Sequence, residues 1–329
     1  MTPPRLALAR TPTPLERLDR TSELLGREVW VKRDDLTGLE LTGNKVRKLE
    51  WLLAEAQAQG ADTIITCGGI NSNHARATAI AAIKLGLSAH LVLRGVDRSP
   101  PTGNLLLDRY VGADVELIDQ ATWNARDTYL PKVAAKLSAA GRRPYVIPEG
   151  GSNALGSLGY VEAAKELLEQ CQALGWTPVA VAHATGSGGT TAGLALGFVG
   201  TAVETFGVAV CNDAAYFYAR IERIWDEAVE RGFIDASTRK AAKATVHEGR
   251  QGRGYGLTTP AEMAEHSALA RREGLLVDPV YTGKAFLGMS DGIRDGHFPS
   301  GPVVFLHTGG IFELFAFGSE IEAARTSPR

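Results

Sequence analysis

Cysteine is scarce: Cys67, Cys171 and Cys211 are the only three in 329 residues. Their odd number, wide separation and lack of metal-ligand spacing leave neither a disulfide framework nor a zinc site to expect, and free thiols fit a reducing compartment. Long hydrophobic runs are missing too. No stretch could span a membrane, and Met1-Thr2-Pro3-Pro4-Arg5 does not begin a signal peptide. Charge imbalance is absent, with 35 Lys and Arg against 37 Asp and Glu and a net charge of −2. No basic stripe invites nucleic acid, and no charge run marks a disordered tail. Internal repeats and low-complexity segments are also lacking. These absences leave a globular, cytoplasmic protein without membrane or nucleic-acid partners, long enough for two domains or one large one.

What is present is alternation. Short apolar runs at Val29–Lys32, Thr63–Cys67, His90–Arg94, Val115–Ile118, Tyr145–Ile147, Val179–Ala182, Phe206–Val210 and Val303–Leu306 read as strands. Between them lie segments of helical length rich in Ala, Leu, Glu and Lys, such as Tyr160–Leu174. The pattern predicts an α/β architecture with largely parallel sheets, its short strands buried on both faces. The four strands between about residues 60 and 150 suffice for a small sheet of their own. Residues 97–103 read as a loop, and Glu322–Arg329, with no apolar anchor, is expected to fray.

The segment Leu41-Thr42-Gly43-Asn44-Lys45-Val46-Arg47-Lys48-Leu49-Glu50 places a turn before an amphipathic helix with Leu49, Leu52, Leu53 and Ala56 on one face. Lys45 then falls in the first helical turn, where the helix dipole and partial burial both disfavour an ammonium. A neutral amine is the form that makes a Schiff base, although a lysine at a helix start is ordinarily solvated.

Three glycine-rich segments follow expected strands on the side where open α/β sheets bind ligands. In Gly68-Gly69-Ile70-Asn71-Ser72-Asn73-His74, running into a helix at Ala75, Ser72 and Asn73 occupy the helix entrance. They read either as plain caps or as donors to a carboxylate or cofactor oxygen. Thr185-Gly186-Ser187-Gly188-Gly189-Thr190-Thr191 reads as a phosphate cradle or as a tight strand–helix turn. It lacks the lysine of a Walker loop and the third glycine of a dinucleotide fingerprint, so one phosphate fits better than a pyrophosphate. The third segment is His307-Thr308-Gly309-Gly310.

Together these motifs resemble fold type II pyridoxal-phosphate enzymes, the tryptophan-synthase-β-like group, and within it the D-cysteine desulfhydrase and 1-aminocyclopropane-1-carboxylate deaminase family. The likeness runs from Thr11-Pro12-Thr13-Pro14-Leu15 to about Phe317. It includes Val31–Asp35, Arg143–Pro148, Gly150–Gly156, Gly254-Tyr255-Gly256 and Leu276–Ala285. It implies two three-layer α/β domains, a large cofactor-binding one of residues 1–56 and 157–329 and a small one of 57–156. It also implies a pyridoxal 5′-phosphate cofactor, a small amino acid as substrate and a homodimer. By resemblance Lys45 forms the Schiff base and shuttles the Cα proton, with Lys48 as the rival lysine. Asn73 meets the phenolate oxygen, Thr185, Gly186, Ser187, Gly188, Gly189 and Thr190 hold the phosphate, and Thr308 meets the pyridine nitrogen. Ser72 takes the substrate carboxylate and is a candidate for proton transfer, and Tyr255 and Tyr281 face the substrate as further catalytic residues. Asn71, Thr282 and Phe312 border the substrate.

The two activities of the resembled family differ at two positions, and Thr282 and Thr308 match the desulfhydrase pattern rather than the Glu and Leu of the deaminases. A hydroxyl near the pyridine nitrogen stabilises its positive charge less than a carboxylate does, which changes the electron sink. β-Elimination from D-cysteine to pyruvate, ammonia and hydrogen sulfide is therefore expected. The alternatives are ring opening of 1-aminocyclopropane-1-carboxylate, elimination from L-cysteate, β-chloroalanine or D-serine, and an inert cofactor-binding homologue. Asn71, Glu149 and Ile311-Phe312-Glu313 depart from the pattern, and a Glu313 facing the pocket would repel a sulfonate.

Overall fold

The computed structural model describes residues 3–97 and 99–326. The chain opens with β1 (Leu15–Arg17), α1 (Asp19–Leu25), β2 (Val29–Lys32) and α2 (Asn44–Ala58). Next come β3 (Thr63–Gly69), α3 (Asn73–Lys84), β4 (Ser88–Arg94), α4 (Gly103–Tyr110), β5 (Asp114–Ile118), α5 (Gln120–Asn124), α6 (Arg126–Ala139) and β6 (Pro144–Val146). After α7 (Ala154–Ala173) follow β7 (Ala180–Thr185), α8 (Gly189–Gly197), β8 (Glu204–Ala209), α9 (Ala214–Glu230), α10 (Ala236–Ala241) and β9 (Thr245–His247). The chain closes with α11 (Pro260–Glu273), α12 (Thr282–Arg294), β10 (Val303–Leu306), α13 (Ile311–Leu314) and α14 (Gly318–Thr326).

Two sheets result. One has six strands in the order β1-β2-β10-β7-β8-β9, parallel except where β1 runs against β2. The other has four parallel strands in the order β5-β4-β3-β6. Every residue of β3, β7 and β10 is buried, as helices on both faces of a parallel sheet require.

Each of the eight expected strands forms, with shifted ends: β3 continues to Gly69, β7 runs from Ala180 to Thr185, and β6 stops at Val146. The reading missed β1 and β9. Each is a three-residue edge strand, too short for alternation to register. Of the loop expected at residues 97–103, Arg98 lies outside the described residues, and Gly103 already begins α4. Contrary to the expected fraying, α14 extends to Thr326, because Ala324 packs against Met263, Val280 and Phe317. Residues 327–329 lie outside the described residues.

The helix carrying Lys45 departs most from expectation. Leu49, Leu52, Leu53 and Ala56 are buried, but so are Arg47, Lys48 and Glu50, so α2 lies inside the protein rather than on its surface. Buried charges need partners. Arg47 donates to Asp34 from Nε at 2.8 Å and from a terminal nitrogen at 2.9 Å, and to both oxygens of Glu166 at 2.9 Å. Tyr160 and Thr13 hydroxyls also donate to Asp34, at 2.6 and 2.8 Å, and Lys32 pairs with Glu166. Three separate segments, around Thr13, Lys32–Asp34 and α7, are thereby tied to one turn of α2.

Candidate active site

The loops after β3, β7 and β10 and the first turns of α2, α3 and α8 surround a cleft of about 670 Å³, its open mouth included. Lys45, Ser72, Asn73, Gly186, Ser187, Gly188, Thr190, Tyr255, Tyr281 and Thr308 all line it. Thr185, Gly189, Asn71, Thr282 and Phe312 do not line this cleft. Thr185 sits behind the cradle, bonded to Thr191 at 2.9 Å. Asn71 borders a neighbouring cavity on the far side of Gly69 and Tyr255. Thr282 is buried and donates to Asp278 at 2.6 Å, and Phe312 lies against the Arg76 guanidinium, 5.0 Å away.

Lys45 is the second residue of α2 and points its amine into the cleft. Burial pushes that amine down to about 8, although the Glu149 and Glu313 carboxyls pull it the other way. The neutral, nucleophilic form is therefore a minor but substantial fraction near physiological pH, far larger than for an ordinary lysine. Lys48, one turn on, is fully buried and donates to Gly150 O and Ser152 Oγ, each at 3.2 Å. Burial lowers it well below the ordinary lysine value, with the Lys45 charge adding to the effect.

The cradle after β7 is assembled from several elements. Ser152 Oγ accepts from Gly189 N at 3.2 Å and bonds Ser187 Oγ at 2.8 Å, and Asn44 Nδ2 donates to Thr190 Oγ1 at 3.1 Å. A Cβ on Gly189 would fall 2.6 Å from Ser152 Oγ and 2.8 Å from Lys48 Nζ. Only glycine leaves this space open. The start of α8, its flanking hydroxyls and the Lys48 amine fit a phosphate group, since helix N-termini carry free N–H donors and partial positive charge.

On the opposite wall Ser72 caps α3, accepting from Ala75 N at 3.2 Å. That bond uses an oxygen lone pair and leaves the hydroxyl proton for a ligand, so the capping and binding readings of Ser72 are compatible. α3 itself begins at Asn73, two residues before the expected start. Tyr281 donates its hydroxyl to that of Tyr255 at 2.9 Å, the rings meeting edge to face. Burial raises both phenols above the ordinary tyrosine value, so both keep their protons. Tyr255 rests on Gly69, where a Cβ would come within 2.6 Å of its ring.

Three residues of this site, Asp278, Asn44 and Ser152, carried no assigned role in the sequence reading. Asp278 accepts from the amides of Val280, Tyr281 and Thr282 and so shapes the turn that presents Tyr281. An aspartate just before a helix start was the available signal. Asn44 and Ser152 reach the cradle from distant segments, which local pattern does not reveal. Glu313, expected to repel a sulfonate, instead bonds Asn73 and lines the neighbouring cavity rather than the cleft. Glu149 does line the cleft, paired with Arg126 at 3.0 Å. Cys67 is a buried thiol that burial pushes far up, which makes it an inert packing residue.

Comparison with known proteins agrees with this geometry. Residues 6–309 match the family described as Pyridoxal-phosphate dependent enzyme. The chain is 44% identical over 323 residues to a D-cysteine desulfhydrase of Klebsiella pneumoniae (strain 342), covering 95% of this chain and 96% of that one. It is 43% identical to a D-cysteine desulfhydrase of Salmonella choleraesuis (strain SC-B67), again over 95% and 96%. Among solved structures, an ACC deaminase homologue shares 37% identity and a TM-score of 0.90 across 98% of this chain and 97% of its own. A fungal L-serine ammonia-lyase from Rhizomucor miehei, 18% identical with a TM-score of 0.68 over 97% and 99%, shares the fold. A half-buried lysine of lowered pKa and a glycine-lined phosphate cradle in one cleft of this α/β frame are what such a cofactor requires, and the chain belongs to the pyridoxal-phosphate dependent enzymes of fold type II.

Proposed function

We propose that the protein is a D-cysteine desulfhydrase, converting D-cysteine and water to pyruvate, ammonia and hydrogen sulfide. What chiefly supports this reading is the 44% identity, over nearly the whole of both chains, to a protein of that name. Thr282 and Thr308 at the two discriminating positions also favour it over ring opening. Pyridoxal phosphate, when bound, supplies the aldehyde that takes the substrate amine and the ring that accepts the Cα electron pair. Lys45 holds the cofactor and, as a base of suitable pKa, moves the Cα proton. The Ser72 hydroxyl and the first amides of α3 take the substrate carboxylate. The Tyr255–Tyr281 pair, protonated and partly shielded from water, orients the substrate side chain. The serine, threonine and glycine residues from Gly186 to Thr190, with Lys48 behind them, hold the phosphate.

We infer further that the enzyme acts as a cytoplasmic homodimer, divided into a large domain of residues 1–56 and 157–329 and a small domain of 57–156. The division is supported by the four-stranded sheet, whose strands fall between Thr63 and Val146. Among the described residues no helix is long and apolar enough to cross a membrane.

Adding D-cysteine to the purified holoenzyme should release sulfide and pyruvate in equal amounts. The reading fails if neither forms while 1-aminocyclopropane-1-carboxylate is opened to a keto acid and ammonia. The Lys45 environment adds a pH dependence. Capture of pyridoxal phosphate by the cofactor-free protein needs the neutral amine, so its rate should rise through about pH 8 and flatten above it. A rate still climbing toward the ordinary lysine value of 10.5 would contradict the desolvation of the Lys45 amine.

A further inference from the structure

Asn73 stands at the end of a hydrogen-bond chain whose polarity is fixed by an arginine. Arg76, buried on α3, donates from Nε to Asn104 Oδ1 at 3.0 Å. A guanidinium has donors only, so Asn104 must turn its oxygen to Arg76 and its nitrogen away. Asn104 Nδ2 accordingly donates to Asn73 Oδ1 at 2.9 Å and to Asn71 O at 2.7 Å. With its oxygen turned to Asn104, Asn73 presents its two amide N–H groups on the other side. One goes to Glu313 Oε2 at 2.7 Å, and the other remains for the cleft that Asn73 lines.

Arg76 also donates to Glu40 O and, at 3.1 Å, to Thr42 O, and at the other end of the chain stands Glu313. It lies on α13, after β10 of the six-stranded sheet, and is 2% exposed. Its neighbour Phe312 covers the Arg76 guanidinium at 5.0 Å, so one short helix closes over both ends of the chain. We propose that Glu313 is a positioning residue that accepts one N–H of Asn73 and thereby directs the other at the cofactor held in the cleft. Burial and the Asp278 carboxylate raise the Glu313 carboxyl well above its usual range, against the Asn73 bond and the Arg76 and Lys45 charges. Tyr255 and Tyr281, which also face it, keep their own protons. In either protonation state the Glu313 carbonyl oxygen can accept the Asn73 N–H.

The proposal rests on the cofactor's place in this cleft and is independent of which amino acid is turned over. Its test compares Glu313→Gln, which keeps an acceptor oxygen on a side chain of the same length, with Glu313→Met, which fills the volume without one. Pyridoxal phosphate binding to the cofactor-free full chain is followed by tryptophan fluorescence, and the visible cofactor band is recorded in each holoenzyme. Glu313→Met should bind the cofactor about tenfold more weakly, the size of one lost hydrogen bond, and its band should move. Glu313→Gln should restore affinity to within about twofold and the band to its original position. Phe312→Leu, which removes the ring but not the acceptor, checks that changes on α13 alone do not mimic the loss. Native affinity and band in Glu313→Met would overturn the proposal. So would a Glu313→Gln variant as impaired as Glu313→Met, because charge rather than an acceptor oxygen would then be responsible. Failure of the unmodified protein to take up pyridoxal phosphate would sink the placement of the cofactor itself, an outcome separable from both.

Discussion

Replacing Lys45 with alanine is expected to abolish the visible cofactor band and to lower turnover by about 10³-fold or more, the range for losing a positioned proton-transfer group. Both effects follow from one placement. The Lys45 amine is the cleft-facing lysine at the start of α2, and burial lowers its pKa to about 8. It is therefore suited both to attachment and to accepting a proton. Lys48 is the internal control. It is also buried with a lowered pKa, but its amine is engaged with Gly150 and Ser152 behind the phosphate cradle. Lys48→Met should keep the band while loosening the cofactor. Absorbance of the two purified variants after reconstitution decides the matter, and a band surviving in Lys45→Ala would refute the assignment.

The largest expected loss of stability comes from Arg47→Met, about 3–5 kcal/mol, the cost of removing one partner from a buried ion pair. Asp34 would keep the Tyr160 and Thr13 hydroxyls but lose its buried cation, and Glu166 would keep Lys32 and the Thr13 amide. Burial by itself would raise the Asp34 carboxyl, and the Arg47 charge and hydrogen bonds outweigh that and hold it below its usual range. A depressed folded-state pKa contributes stability that is present above the ordinary carboxylate pKa and lost as pH falls through the lowered value. The difference between wild type and variant should therefore be full at neutral pH and shrink in acid. Urea unfolding at the two conditions measures it. A difference below about 1 kcal/mol at neutral pH, the range of an exposed pair, would show that Arg47 is not the anchor of α2.

The sequence carried more of the cleft than of its support. Lys45, Ser72, Asn73, Tyr255, Tyr281 and Thr308, taken from motif resemblance, all reach one cleft. Asn71, Thr282 and Phe312 lie behind it or in the neighbouring cavity, because adjacency in a motif does not say which way a side chain leaves its backbone. Asp278, Asn44 and Ser152 were left without roles and Glu313 was considered only against a sulfonate, since each acts on a residue remote in sequence or shapes a turn.

Local pattern alone determined the alternation of strand and helix, the three glycine-rich turns and the lysine at a helix start, because chain periodicity and turn chemistry are short-range properties. Only the tertiary structure decided that α2 is buried on nearly all sides, that Lys48 backs the cradle, and that an arginine fixes the amide of Asn73. Burial and hydrogen-bond polarity depend on groups brought together from distant parts of the chain, and those same contacts lower the pKa of Lys45 and raise that of Glu313.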